Sequence, residues 1–294
     1  MSVSVEQREQ VVANAMREIS HIATLPEITM KIIDLVEDPK STAQDLHRVI
    51  SNDPALCSRI LKVVNSSFYG LPGQIGSINR AIVMLGLNAV KNIAIAASLA
   101  KLFCGGDITS NFSARDLWKH ANATAAAAKM ISDKLKFGLG DEAYLAGLMH
   151  DIGLMVQMQF DRNMLIQVVE QITVDDDNMP TVDMLETELS VFGATHEDFG
   201  VGLCTRWKFP ASFKAVTGFH HRPLEAPEPH RKLVAVIAAA DRLAAQIDFG
   251  FRLDIQDATI PEDLASFLGL TPELTDELRE ALSEVVANLD TSLS

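Results

Sequence analysis

The chain has 294 residues, of which 48% are hydrophobic, 22% charged and 6% aromatic. This is the make-up of one large folded domain or two smaller ones, and it excludes disorder as the main state. Its 25 Lys and Arg face 39 Asp and Glu, a formal net charge of -14 that repels a phosphate backbone. Basic residues occur singly or in pairs such as Lys134/Lys136 and Arg231/Lys232, so nucleic acid is not an expected partner.

The first twenty residues carry Glu6, Arg8, Glu9, Arg17 and Glu18, which leaves no apolar core for an export signal. Taking the chain in order, Thr42-Ala-Gln-Asp45 has the form of a capping box. Asp53-Pro54 places a cap before a proline at the first helical position, and Leu56, Ile60, Val63 and Val64 then share one face. The apolar stretch Ile93 to Ala100 is far short of the roughly 20 residues that span a bilayer. No membrane association is expected.

Gly105-Gly106-Asp107 and its polar continuation to Asn111 form a break. Beyond it, Ser113-Ala-Arg-Asp116 opens a helix through the alanine run Ala121 to Ala128, and Asp141 is expected to cap another through Gln159. Asp175-Asp176-Asp177-Asn178-Met179-Pro180 reads as a solvated loop, and Thr271-Pro272 starts a last helix with Leu274, Leu278, Leu282, Val285 and Leu289 along one stripe. Sustained strand-like alternation is almost absent. The expected fold is all-α, divided into a histidine-poor N-terminal helical part over 1–106, a histidine-rich helical part over 107–247 and a helical extension over 248–294. Cys57, Cys104 and Cys204 form no CxxC and cannot all pair internally, which points to a reducing compartment, the cytoplasm.

Of eight histidines, His120, His150, His196, His220 and His221 lie between Leu117 and Leu224, with Asp151 beside His150 and Asp241 downstream. His21, His47 and His230 stand apart and read as surface or satisfied residues. His150-Asp151 sits among the core-like Leu145, Leu148, Met149 and Ile152. An ionised Asp buried there costs several kcal/mol without a partner, and a divalent cation is the obvious one. Imidazole with carboxylate suits Fe, Mn or Zn. Taken singly, the His220-His221 pair also fits a solvated loop, and Asp241 a helix-end cap or ion-pair partner.

The order His120, His150-Asp151, Asp241 resembles the H…HD…D signature of the HD superfamily of metal-dependent phosphohydrolases, and His196 with His220-His221 resembles the second-metal ligands of its HD-GYP branch. In the N-terminal half, Leu25-Pro26, Asp53 to Leu61, Asn65-Ser66-Ser67-Phe68-Tyr69-Gly70 and Ile78 to Gly86 are similar to the HDOD family of bacterial signalling domains, as is Trp207-Lys208-Phe209-Pro210 before His220-His221. The likeness covers about residues 15 to 245. It implies a transition metal, Fe or Mn, held by His120, His150, Asp151 and Asp241, and a second completed by His196, His220 and His221 with Asp151 bridging as the candidate catalytic residue. Asp116 falls where some HD-GYP members place a further acidic ligand.

Two departures weigh against turnover. Leu154 stands where HD-GYP enzymes have a phosphate-binding Lys, and Arg222-Pro223-Leu224 replaces the Gly-Tyr-Pro motif, leaving Lys208, Lys214 and Arg222 as the candidate phosphate contacts. The expected function is an HDOD-type signal-transduction protein with a retained metal site, an unidentified signalling partner and a nucleotide as candidate ligand. An active phosphodiesterase on a nucleotide or cyclic dinucleotide is the second reading, and a metal-free adaptor the third. The N-terminal part is expected to bind partners or regulate, with Phe68 and Tyr69 plugging its core at the end of a helix.

Overall fold

Side-chain caps set where the helices begin. In the computed structural model, which describes residues 3–19, 27–38, 40–66, 69–103, 107–109, 112–176 and 179–293, Ser4 and Gln7 cap each other at the start of α1 (Val5–Glu18). After α2 (Glu27–Glu37), Thr42 and Asp45 form the expected reciprocal box before α3 (Ala43–Ser51). Asp53 accepts the Leu56 N–H at 2.9 Å to open α4 (Pro54–Val64). Asn65 ends that helix: its Nδ2 donates to Leu61 O and Ile75 O at 2.8 and 2.9 Å, and its Oδ1 accepts from Ile75 N at 2.7 Å. Ser77 caps α5 (Ile78–Leu85), and Gly86, at φ +89°, makes the turn into α6 (Leu87–Leu99).

Tyr69 packs partly buried against the core, as expected of the Asn65 to Gly70 block. Ser67 and Phe68 lie outside the described residues, as do His21, Leu25-Pro26, Cys104 and Gly105-Gly106.

A short antiparallel pair, β1 (Asp107–Thr109) and β2 (Phe112–Ser113), leads into α7 (Ala114–Lys134), whose N-cap is Ser113. The alanine run of α7 offers almost no side chain, so α8 (Gly140–Met149) lies close against it. A Cβ on Gly147 would fall 2.7 Å from Ala125 Cα. The single helix expected from Asp141 to Gln159 is instead two helices. Leu139, not Asp141, precedes α8, and the helix stops at Met149; α9 (Ile152–Phe160) starts after His150 and Asp151. Asp141 instead lies in the first turn of α8, its carboxylate 3.4 Å from Lys129 Nζ. The break turns two consecutive side chains inward, which an unbroken helix, advancing about 100° per residue, would splay apart.

Asp161 caps α10 (Arg162–Gln171). The acidic run is a loop closed by a bridge between Val174 and Pro180, with Asp177 and Asn178 outside the described residues. Next come α11 (Met184–Val191), α12 (His196–Arg206) behind a Thr195–Asp198 capping box, α13 (Ala211–Phe219) and α14 (Glu228–Gln246). Finally α15 (Glu262–Leu268) ends at Gly269 in the left-handed region, and Thr271 Oγ1 accepts the Leu274 N–H at 3.2 Å to start α16 (Pro272–Leu293).

The fold is all-α apart from β1 and β2 and an isolated bridge among the described residues. One apolar cluster runs from Val12 to Val286, each fully buried Leu, Ile or Phe in it stabilising by roughly 1.5–3 kcal/mol. In its centre α7 and α8 pack on α14, and α9 and α13 pack on α12. No helix among the described residues is long and apolar enough to cross a membrane.

Candidate metal centre

Five elements converge on one buried point. α7 supplies His120, the α8–α9 break supplies His150 and Asp151, α12 supplies His196 as its first residue, the end of α13 supplies His220 and His221, and α14 supplies Asp241. His120, His150, His196, His220 and Asp241 are 0% exposed and Asp151 2%. The seven residues fall into two groups able to hold a metal ion, His120/His150/Asp241 and Asp151/His196/His220/His221.

In the first group Asp241 Oδ1 is 2.9 Å from His120 Nε2 and 3.6 Å from His150 Nε2. The two ring nitrogens are 3.3 Å apart. In the second, His196 Nε2 lies 3.3 Å from His220 Nε2 and 3.0 Å from His221 Nε2. Asp151 stands between them. Its Oδ2 is 3.2 Å from His150 Nε2, and its Oδ1 is 3.3 Å from His220 Nε2 and 3.7 Å from His196 Nε2.

The outer nitrogens fix the rings. His150 Nδ1 donates to Gly147 O at 2.7 Å, His220 Nδ1 to Val216 O at 3.1 Å, and His196 Nδ1 to the Glu188 carboxylate at 3.0 Å. Glu188 Oε2 also accepts the His196 backbone N–H at 2.8 Å. A carbonyl or carboxylate oxygen only accepts, so these Nδ1 atoms carry the hydrogen, and each ring in its neutral form turns its Nε2 lone pair inward, the arrangement of metal-ligating histidines. Lone pairs facing one another at 3.3 Å repel unless a cation lies among them. Around an ion with bonds of about 2.1 Å, neighbouring donors sit roughly 3.0–3.4 Å apart, which is the spacing of most of these contacts. The oxygens of Asp151 and Asp241 accept no hydrogen bond of good geometry. The donor set therefore fits a metal.

Charge balance leads to the same demand. Burial alone would push the Asp151 and Asp241 carboxyls up, but the surrounding imidazoles, above all His150 and His120 respectively, hold both well below their usual range. Burial likewise disfavours charge on His120, yet Asp241 holds it raised, and Asp151 holds His150 well above its ordinary value. Glu188 and Asp151 overcome burial at His196 and lift it to about 10. His221, disfavoured by burial and by His220 and His196, sits well below. The site needs positive charge, from ring protons or from bound metal.

The other residues singled out in the sequence lie outside both donor groups. Leu154 is fully buried in the core. Arg222 is engaged: it pairs with the buried Glu197, donates to Gly218 O at 2.8 Å, and lies over the Phe219 ring at 4.9 Å. Lys208 is exposed in the turn after α12, and Lys214 is half-buried on α13. Asp116 accepts from Ser113 Oγ at 2.7 Å as part of the α7 cap and belongs to neither donor group. Sequence reasoning missed Glu188, Glu197 and Asp254, all buried. Glu188 lies eight residues before His196, in another helix, and Asp254 lies beyond every motif. Asp254 is pushed up to about 8 by burial and by Asp151 and Asp241. A cavity of about 270 Å³ opens on His221, with Arg222, Arg242 and Asp263 among its lining.

Comparison with known proteins identifies the fold and the family. A structure from Geobacter sulfurreducens, an HDOD domain protein of unknown function, superposes with a TM-score of 0.74 at 24% identity, over 99% of this chain and 96% of that one. A Shewanella amazonensis protein provisionally named a phosphohydrolase gives 0.71 at 23%, over 97% and 98%. A Marinobacter aquaeolei VT8 protein provisionally named for signal transduction gives 0.76 at 21%, over 99% and 66%. At these identities the likeness shows the fold. An uncharacterized Treponema pallidum (strain Nichols) protein is 27% identical over 271 residues, 91% of this chain, and the chain spans 50% of that relative's length. The HDOD domain pattern matches residues 22–223, over half of the sequence, and the chain belongs to the HDOD family.

Proposed function

We propose that this protein is a signal-transduction module whose C-terminal half holds divalent transition metal, Fe or Mn, at two positions with Asp151 between them. The observation that carries the reading is the set of inward Nε2 lone pairs of His150, His196 and His220, each fixed by an acceptor on its Nδ1. His120, His150 and Asp241 would hold one ion, and His196, His220 and His221 the other. The mixed nitrogen and oxygen donors, without thiolate, suit these metals. When bound, such a metal supplies Lewis-acid polarisation of water or of a phosphoryl oxygen.

A regulatory rather than a catalytic role is favoured by what surrounds the donors. Leu154 offers no donor to a phosphate, and the Arg222 guanidinium is committed to Glu197 and Gly218. Orientation of substrate by such donors is worth roughly 7–11 kcal/mol of barrier. In this reading residues 1–106 form the partner-facing part, 107–247 the metal-holding part and 248–294 an extension. A second reading, a phosphohydrolase acting on a nucleotide or cyclic dinucleotide, draws support from the cavity that opens on His221.

The test is elemental analysis of protein purified without chelator, followed by assay of the metal-loaded protein with a generic phosphodiester and with cyclic dinucleotides. At least one transition metal per chain, lost in Asp151→Ala, and absent or slow turnover are expected. Robust turnover that disappears in Asp151→Ala would establish the hydrolase instead. A wild type that is metal-free and cannot be loaded would leave only a metal-free adaptor.

A further inference from the structure

The segment after α14 belongs to no motif, yet it brings a carboxylate to the centre. Gly250 has φ +95°, and a Cβ on it would fall 2.4 Å from Asp116 O and 2.6 Å from His120 N, so the backbone crosses the first turns of α7 at a distance only glycine permits. Phe251 N–H then donates to Asp116 O at 3.1 Å. The Phe251 ring stands edge-on to Phe112 at 5.1 Å and to His120 at 6.3 Å. These anchors fix the chain three residues before Asp254. The Asp254 side chain is 0% exposed, its Oδ2 is 3.7 Å from His221 Nε2, and neither of its oxygens accepts a hydrogen bond.

We propose that Asp254 is a further ligand of the second metal ion, joining His196, His220, His221 and the shared Asp151. The proposal rests on the metal-holding reading above and adds a donor to it. Its separation from His221 is that of neighbouring donors about 120° apart around an ion with bonds of about 2.1 Å, roughly 3.6 Å; Asp254 stands outside the four donors that lie within 4.8 Å of one another, so ligation requires its carboxylate to turn further inward when the ion binds. Charge gives a second reason. The first position has Asp241 to itself and a share of Asp151, whereas the second, without Asp254, has three neutral imidazoles and only the shared carboxylate. Asp254 gives each position one carboxylate of its own, and it explains why an acidic side chain is buried with no donor beside it.

The experiment titrates cobalt(II) into metal-free wild type and Asp254→Asn, following stoichiometry by elemental analysis and coordination by visible absorption. Wild type is expected to take two ions. The variant is expected to keep one and to bind the other at least about 10- to 100-fold more weakly, the loss typical even of an outer partner of a ligand. Its cobalt spectrum should change as well. Two ions bound with unchanged affinity and spectrum in Asp254→Asn would overturn the role of Asp254 and leave the metal-holding reading intact. A wild type that takes up no metal would overturn both. A metal-loaded crystal structure of the wild type serves without any variant. It should place an Asp254 oxygen about 2.0–2.2 Å from the second ion, and an oxygen pointing elsewhere, or a single ion remote from it, would refute the assignment.

Discussion

Replacing Gly153 by alanine sets two physical effects of opposite sign against each other. Gly153 is the second residue of α9, just past the His150-Asp151 break. Helix propensity alone predicts a gain of about 0.8–1 kcal/mol for Gly153→Ala. Packing predicts a larger loss: a Cβ there would lie 1.8 Å from His196 O, 2.7 Å from His196 C and 2.9 Å from Gly200 N, all backbone of α12. Backbone cannot rotate away, so α9 and α12 would have to part by about 1.5 Å to restore ordinary contact. Overpacking of a well-filled interior costs about 1–3 kcal/mol, occasionally more, and this overlap belongs at or beyond the upper end. The net expectation is a loss of at least about 2 kcal/mol. At about 2–4 °C per kcal/mol for chains of this order of size, the melting temperature should fall by about 4–8 °C. The same displacement draws His196 away from Asp151, so the second metal should be lost while the first is kept. Thermal and urea denaturation, with elemental analysis of the folded variant, read both effects. A Gly153→Ala protein as stable as wild type or more so, still holding two ions, would refute the packing argument.

Glu188→Gln keeps the size of the side chain that orients His196 but weakens its hold on Nδ1, and should lower affinity at the second position about 10- to 100-fold while leaving the first unchanged in a metal titration. Removing metal with a chelator should destabilise the protein by about 2.7 kcal/mol relative to a sample with free metal at 100 times its dissociation constant, seen as a lower melting temperature; identical melts would contradict metal binding to the folded state. In the metal-free protein, His196 is raised from 6.5 to about 10 by Glu188 and Asp151 against its burial, so its stabilisation is complete below about pH 6.5 and is lost as pH rises toward 10. Asp254, raised from 3.8 to about 8 by burial and by Asp151 and Asp241, loses stability in the same direction across that lower interval. The chelated protein should therefore melt progressively lower between pH 6.5 and 10. Metal, which displaces the same ring protons, should bind more tightly at pH 8.5 than at pH 6.5; affinity independent of pH would exclude ring protons as its competitors.

Much of the local structure was legible in the sequence because it is decided locally. Thr42-Asp45, Asp53-Pro54 and Ser113-Asp116 cap their helices as read, since a cap satisfies amides within three residues of itself. The order of His120, His150-Asp151, His196, His220-His221 and Asp241 was likewise plain, and so was its kinship. Only the tertiary structure decided how these residues meet. The break between α8 and α9 was hidden because Ala143 to Gln159 reads as one apolar helix, and the reason for breaking it, two adjacent side chains facing one buried centre, comes from α7, α12, α13 and α14. Glu188 and Asp254 could not be singled out, since an acid in an acidic chain is ordinarily a surface residue. Long-range packing brings them to the histidines: one through the close approach of helices around His196, the other through a glycine crossing at α7 that buries a carboxylate beside His221.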